Sequence, residues 1–334
     1  MSTLQLPIDR LPISKSSRHA VLRDYFCDKD AEAVLGGAGW RLSLMWPDGL
    51  DRHVDPRLQQ GLAWWGGDVT LPTMATARTR KGHVLSALYD SWTLQSWSEW
   101  VHASGICPDE HVLILHVDDH RDLASPRLFE ENGRWKDPIT GSFCDLEDPG
   151  SVTAAIESGA IGMGSFLTPF LHGFRQAEVR QLCQPPKVLS TQDFAIELAT
   201  QRDDLLEPGR SRPAVELAPV ARQTGPGRYR VTPDLADWLE TLPDQPTVLH
   251  IDMDYFNNRY DGDTNWESRL NLFDPPMECI LEKIDDLTAA LAGSGLGSRL
   301  VDIVVAYSPG FFPAEYWEEA ADRLIPELER IYGR

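Results

Sequence analysis

Val112-Leu113-Ile114-Leu115-His116-Val117 runs without a break into Asp118-Asp119-His120-Arg121-Asp122. The first part is short, aliphatic on both alternating sets of positions and bounded by charge. That is the pattern of a strand covered on both faces, as inner strands of a parallel sheet are. Thr247-Val248-Leu249-His250-Ile251 repeats it and ends in Asp252-Met253-Asp254, and Leu300 to Tyr307 supplies a third apolar run. Between and after these runs the spacing predicts helices over about 151–158, 233–241, 276–292 and 313–331. Ile280, Ile284, Leu287 and Leu291 mark the buried stripe of one, and Trp317, Ala320, Leu324, Ile325 and Leu328 that of another. Val84, Leu85, Leu88, Trp92, Leu94 and Trp97 recur at helix-like intervals and predict a further helix over about 83–102. Strands alternating with helices predict an α/β fold, a three-layer α/β/α sandwich around a mostly parallel sheet.

Working outward, residues 1 to about 75 are rich in Trp, Gly and Pro and read as an irregular leading segment with one strand near 41–44. Residues 201–232 carry many Pro, Arg and Gly and read as a surface excursion, so 1–334 is expected to form a single domain. The chain is 42% hydrophobic and 25% charged, an ordinary globular balance. Its formal charge of −20 disfavours nucleic acid and anionic membrane as partners and suits a cationic ligand, although solubility alone also accounts for it. The longest uncharged stretch, 158–174, is broken by glycines and Pro169, and the N-terminus lacks the apolar run of a signal peptide. A cytoplasmic location is therefore expected, and the five dispersed cysteines are expected to be reduced thiols.

In open α/β sheets the functional site lies beyond the carboxyl ends of the strands. Alternation along an extended chain places Asp118, His120 and Asp122 on one side, and Asp252 and Asp254 likewise. So many acids converge only if something cationic neutralises them. Carboxylate oxygens with a little imidazole suit Mn²⁺ better than structural Zn²⁺. The plainer alternative is that these acids are solvent-exposed strand caps.

Asp118-Asp119-His120-Arg121-Asp122 together with Asp252-Met253-Asp254 resembles the arginase/deacetylase superfamily. Gly82-His83-Val84-Leu85, Phe166-Leu167-Thr168-Pro169, Tyr255-Phe256, Ala306-Tyr307-Ser308-Pro309 and Phe312-Pro313 extend the likeness. They resemble a divergent branch that includes peptide arginases, which convert arginine side chains of ribosomally made precursor peptides to ornithine. The resemblance runs from about 80 to 330. It implies two Mn²⁺ ions, one on His83, Asp118, Asp122 and Asp252, the other on Asp118, His120, Asp252 and Asp254. It further implies attack of a metal-bridging hydroxide on the guanidinium carbon, releasing urea, with an arginine-containing precursor peptide as partner. Asp119 and His172 are the candidate catalytic groups, His172 as proton shuttle to the leaving amine. Asp119, Asn257, Asp261 and Tyr307 are the candidate substrate contacts, and His116 and His250 are expected one layer beneath the ligands.

Three positions depart from the pattern. Leu123-Ala124 stands where free-arginine enzymes carry a pair ending in Asn that helps bind the α-carboxylate, a loss that agrees with a peptide substrate. Asn257 stands where a third acid is usual, and Val304-Val305-Ala306-Tyr307 lacks the glutamate that grips the guanidinium. These departures keep other metal-assisted amide or amidine hydrolysis, arginine oxidation and a non-catalytic acidic binding protein open as alternatives.

Overall fold

The computed structural model describes residues 2–269 and 273–332. The leading part contains strand β1 (Ser2–Leu6), helix α1 (Lys15–Phe26), strands β2 (Asp30–Gly36) and β3 (Gly39–Met45), and helices α2 (Leu58–Trp65) and α3 (Leu71–Met74). Strands β4 (Arg78–Lys81) and β5 (Val84–Ala87), helix α4 (Trp92–Ser104) and strand β6 (Leu113–Val117) follow. Short strands β7 (Phe129–Glu131), β8 (Arg134–Lys136) and β9 (Phe143–Cys144) precede helices α5 (Pro149–Ser158) and α6 (Leu167–Gly173). Next come strands β10 (Glu178–Leu182), β11 (Gln192–Arg202), β12 (Ser211–Val220) and β13 (Arg228–Thr232), and helix α7 (Leu235–Trp238). Strand β14 (Thr247–Asp252), helix α8 (Met277–Gly293), strand β15 (Leu300–Ala306) and helix α9 (Trp317–Ile331) complete the order.

The central sheet has nine strands in the order β12-β11-β13-β10-β6-β14-β15-β5-β4. From β13 to β5 every pairing is parallel, and the antiparallel strands lie at the margins. This is the expected α/β/α architecture. The two runs that end in acids, β6 and β14, are neighbours in register, with His116 opposite His250 and Val117 opposite Ile251. Every residue of both strands is buried, which is why neither shows a polar face. Alternation gives β15 two faces. Asp302 bonds Ser96 of α4, whereas Tyr307, just beyond the strand, packs on Trp64 and Trp65 of α2 and Trp317 of α9. No helix among the described residues is long and apolar enough to cross a membrane.

Three expectations need correction. The helix expected from 83 begins only at Trp92, because Val84–Ala87 is an inner parallel strand and a hairpin with β4 precedes it. The expected surface excursion is instead the long β11–β12 hairpin and the inner strand β13, paired from Asp193↔Val220 to Arg202↔Ser211. Its prolines, Pro213 and Pro219, lie on the edge strand β12, where a missing N–H costs least. The leading segment is not irregular. It forms an antiparallel sheet in the order β1-β3-β2, with its own small apolar cluster around Phe26, Trp40, Leu42 and Leu44.

Candidate metal centre

Beyond the carboxyl ends of β5, β6, β14 and β15 lies a cavity of about 440 Å³. Its floor is acidic, with Asp90, Asp122, Asp252 and Asp254 beside His120 and Ser308, and Leu123, Met163, Pro309 and Phe311 are among its apolar lining. The backbone achieves this convergence by bending, not by prolonged alternation. Strand β6 stops at Val117, and Asp122 adopts a left-handed φ of 52°. Asp252 caps the helical turn 253–255, its Oδ1 accepting the Asp254 N–H at 3.1 Å. Ser308, also left-handed at φ 41°, donates its hydroxyl to Asp252 Oδ2.

Two donor sets, each with atoms within 4.8 Å of one another, can hold a metal ion, and Asp118 belongs to both. One is His116, Asp118, Asp122 and His250; the other is Asp118, His120 and Asp254. His120 Nδ1 lies 2.8 Å from Asp254 Oδ2 and 3.6 Å from Asp118 Oδ1, while its Nε2 lies 2.9 Å from Asp261 Oδ1. A carboxylate on the far ring nitrogen is the arrangement that orients a ligating imidazole. His116 Nε2 sits 3.0 Å from Asp118 Oδ2 and 3.3 Å from Asp122 Oδ2, and His250 Nε2 sits 3.5 Å from Asp118 Oδ2. Both histidines lie fully buried beneath the carboxylates, in the deeper layer that alternation predicted.

The electrostatics call for a cation. Burial, then Asp122, pushes the Asp90 carboxyl well above the ordinary range, and burial, then Asp254, does the same to Asp252. Burial and then Asp118 raise Asp122 to about 7 and Asp254 to about 6. Burial would raise Asp118 too, but His116, His120 and His250 overcome it and hold that carboxyl well below its usual value. Burial would lower His116, yet Asp118 and Asp122 raise it to about 10. Burial takes His250 down to about 4. Most telling, Asp90 Oδ1 is buried and accepts no hydrogen bond, while Asp122 Oδ2 has only the 3.3 Å contact with His116. Buried carboxylate oxygens without partners are costly unless a cation completes them.

The expected site residues divide. Asp118, His120, Asp122, Asp252 and Asp254 come together. His83 does not. It occupies the turn before β5, at the opposite end of a parallel strand, exposed and stacked 3.9 Å from Tyr332, while its N–H binds Glu329. Asp90 comes instead from the turn just beyond the carboxyl end of the same strand, opposite the end that carries His83. One Asp90 oxygen accepts the Gly164 N–H at 2.7 Å. Sequence reasoning missed it because its strand is short and merges with the apolar spacing of α4.

The remaining candidates lie away from the chemistry. His172 Nε2 bonds the Ala214 carbonyl of β12 and its ring packs edge-on against Trp135, outside the cavity, so it is no proton shuttle. Asp119 is spent on Lys187 Nζ at 2.8 Å and Asn258 Nδ2 at 2.8 Å. Asn257 is fully buried and tethers Asp274 and Pro275. Tyr307 lies on the α2–α9 face of the sheet, among tryptophans. Asp261 serves His120, with Lys187 and Arg269 neutralising it. Conversely, Asp28 and His53 line the cavity although the leading segment offered no motif. His53 is held neutral, burial lowering it to about 4, between the Tyr89 hydroxyl and the Pro309 carbonyl. Neither a family model nor any curated protein matches this chain.

Proposed function

We propose that this protein is a metal-dependent hydrolase of the arginase/deacetylase type. Within that class, the reading the site supports best is a peptide arginase: hydrolysis of a peptidyl arginine side chain to ornithine and urea, with two Mn²⁺ ions. One observation carries it. Two adjacent parallel strands deliver His120 and Asp122, and Asp252 and Asp254, to the floor of one cavity, with Asp118 buried within ligand distance of them and Asp90 Oδ1 left without a partner.

The donor chemistry fits hard divalent ions, with oxygen dominant and one accessible imidazole. Asp118, His120 and Asp254 would hold one ion, with Asp252 beside them. Asp118, Asp122, Asp252 and Asp90 would hold the other from the cavity side, since His116 and His250 are sealed beneath. Such ions acidify water and thereby supply a nucleophile near neutral pH. The protein's own groups do the rest. His116 steadies Asp118 from below, Asp261 fixes the His120 ring so that Nδ1 faces the centre, and Ser308 orients Asp252. Leu123 and Ala124 present no group for a free α-carboxylate, which suits an arginine inside a peptide. Overall, water adds its oxygen to the guanidinium carbon, the bond to the side-chain nitrogen breaks, and both water hydrogens end on that nitrogen, giving the ornithine ammonium and neutral urea.

The test is mass spectrometry of an arginine-containing peptide incubated with Mn²⁺-loaded protein. A mass decrease equal to one cyanamide unit, with stoichiometric urea, is expected. A mass gain would indicate oxidation instead, and an unchanged mass with retained binding would remove the enzymatic reading.

A further inference from the structure

The proposed reaction lacks a partner for the guanidinium, because β15 carries no acid toward the cavity. We infer that Asp28, delivered by the leading segment, receives the cationic end of the substrate above the metal centre; this rests on the hydrolase reading for its chemistry but not for its geometry. Asp28 lies in the turn between α1 and β2 and lines the same cavity as Asp122, Asp252 and Asp254. The preceding residue, Cys27, takes a left-handed φ of 38°, which turns the chain inward at this point. One Asp28 oxygen, Oδ2, accepts the Met163 N–H at 2.7 Å. A Cβ on Gly162 would come within 2.4 Å of that oxygen, so a bare glycine is what lets the carboxylate seat there.

The neighbouring cations are engaged elsewhere. Arg52 holds Asp30 at 2.9 Å and the Lys29 carbonyl at 2.7 Å, and Lys29 Nζ caps the Glu157 carbonyl at 2.6 Å. Arg127 reaches the Cys27 sulfur at 2.9 Å. Asp28 has no ion pair among the described residues. Asp28 and Asp90 line the same cavity, so the two carboxylates border a common space. Burial raises the Asp28 carboxyl above its ordinary range, against the Met163 N–H and the surrounding cations, and an entering cation would restore its charge. A cavity of about 440 Å³ accommodates a three-carbon side chain with a planar guanidinium or amidinium head, and Leu123, Met163 and Phe311 suit its methylenes. A planar cation offers a carboxylate two parallel N–H donors.

The experiment titrates Mn²⁺-loaded protein with N-acetyl-arginine methylamide and with its neutral citrulline counterpart. Wild type is expected to prefer the arginine probe by roughly tenfold to a hundredfold, the worth of a hydrogen bond to a charged group. Asp28→Asn should reduce that preference to about twofold with Mn²⁺ uptake unchanged, since a neutral amide forms only the weaker bond. Gly162→Ala keeps the charge but displaces the carboxylate and should do the same. Equal binding of both probes by wild type, or a preference that survives in Asp28→Asn, overturns the assignment. An Asp28-dependent preference without urea release leaves the subsite standing and removes the hydrolase reading. Urea release with an unaltered KM in Asp28→Asn removes the subsite alone.

Discussion

Replacing Asp90 with Asn should strengthen the metal-free protein and weaken its response to metal, two effects of opposite sign from one atom. Asp90 is 3% exposed, with Oδ2 on the Gly164 N–H and Oδ1 on nothing. Asn keeps the acceptor for Gly164 and removes the unpaired charge. A buried polar group without a partner costs about 1–3 kcal/mol, so in a chain of this size the metal-free variant should melt roughly 1–4 °C higher at pH 7. Because the carboxyl is raised in the folded state, its penalty grows as pH climbs above the ordinary carboxylate value. The advantage of Asp90→Asn should therefore largely disappear by pH 4, where the folded carboxyl is protonated and the unfolded one about half so. With Mn²⁺ at a hundred times the wild-type Kd, binding adds about 2.7 kcal/mol, and a hundredfold weaker Kd leaves about 0.4 kcal/mol. Calorimetric melts with and without Mn²⁺ at pH 4 and pH 7 read all four values. A lower metal-free Tm at pH 7, or an unchanged Mn²⁺ response, would refute the reasoning.

Other substitutions follow the geometry. His83→Ala and His172→Ala should leave Mn²⁺ uptake and turnover within about twofold while costing roughly 0.5–1.5 kcal/mol of stability through lost ring packing, measured by metal titration and denaturant melts. Asp261→Asn should weaken Mn²⁺ binding by about 10- to 100-fold, because the His120 ring loses the carboxylate that orients it; isothermal titration decides. Mn²⁺ must displace protons from Asp122, held at about 7, and Asp254, held at about 6. Affinity should therefore fall as pH drops through that window, with proton release visible as buffer-dependent heats. In the metal-free protein the same raised carboxyls should make stability fall as pH rises toward 7.

What the sequence could convey follows from where information is local. Strands β6 and β14 were readable because both faces are buried, so their apolar runs end sharply at the acids that matter. Helices α8 and α9 were readable from one-sided stripes. Strand β5 was not. Val84–Ala87 covers less than two turns of helix, and Leu88 and Trp92 continue a helical spacing, so Asp90 went unnoticed, while His83 was a ligand by resemblance alone. Strand β12 was hidden by prolines that only an edge strand tolerates. Asp28 and His53 reach the cavity by packing of the leading segment alone, and no local pattern encodes such a long-range contact.

The central claim is tested most directly by anomalous diffraction from a crystal grown with MnCl₂, recorded at the manganese edge. Two peaks are predicted at the carboxyl ends of β6 and β14, flanking Asp118, one toward His120 and Asp254 and the other toward Asp90 and Asp122. A single peak enclosed by His116 and His250, or none at all, would contradict it.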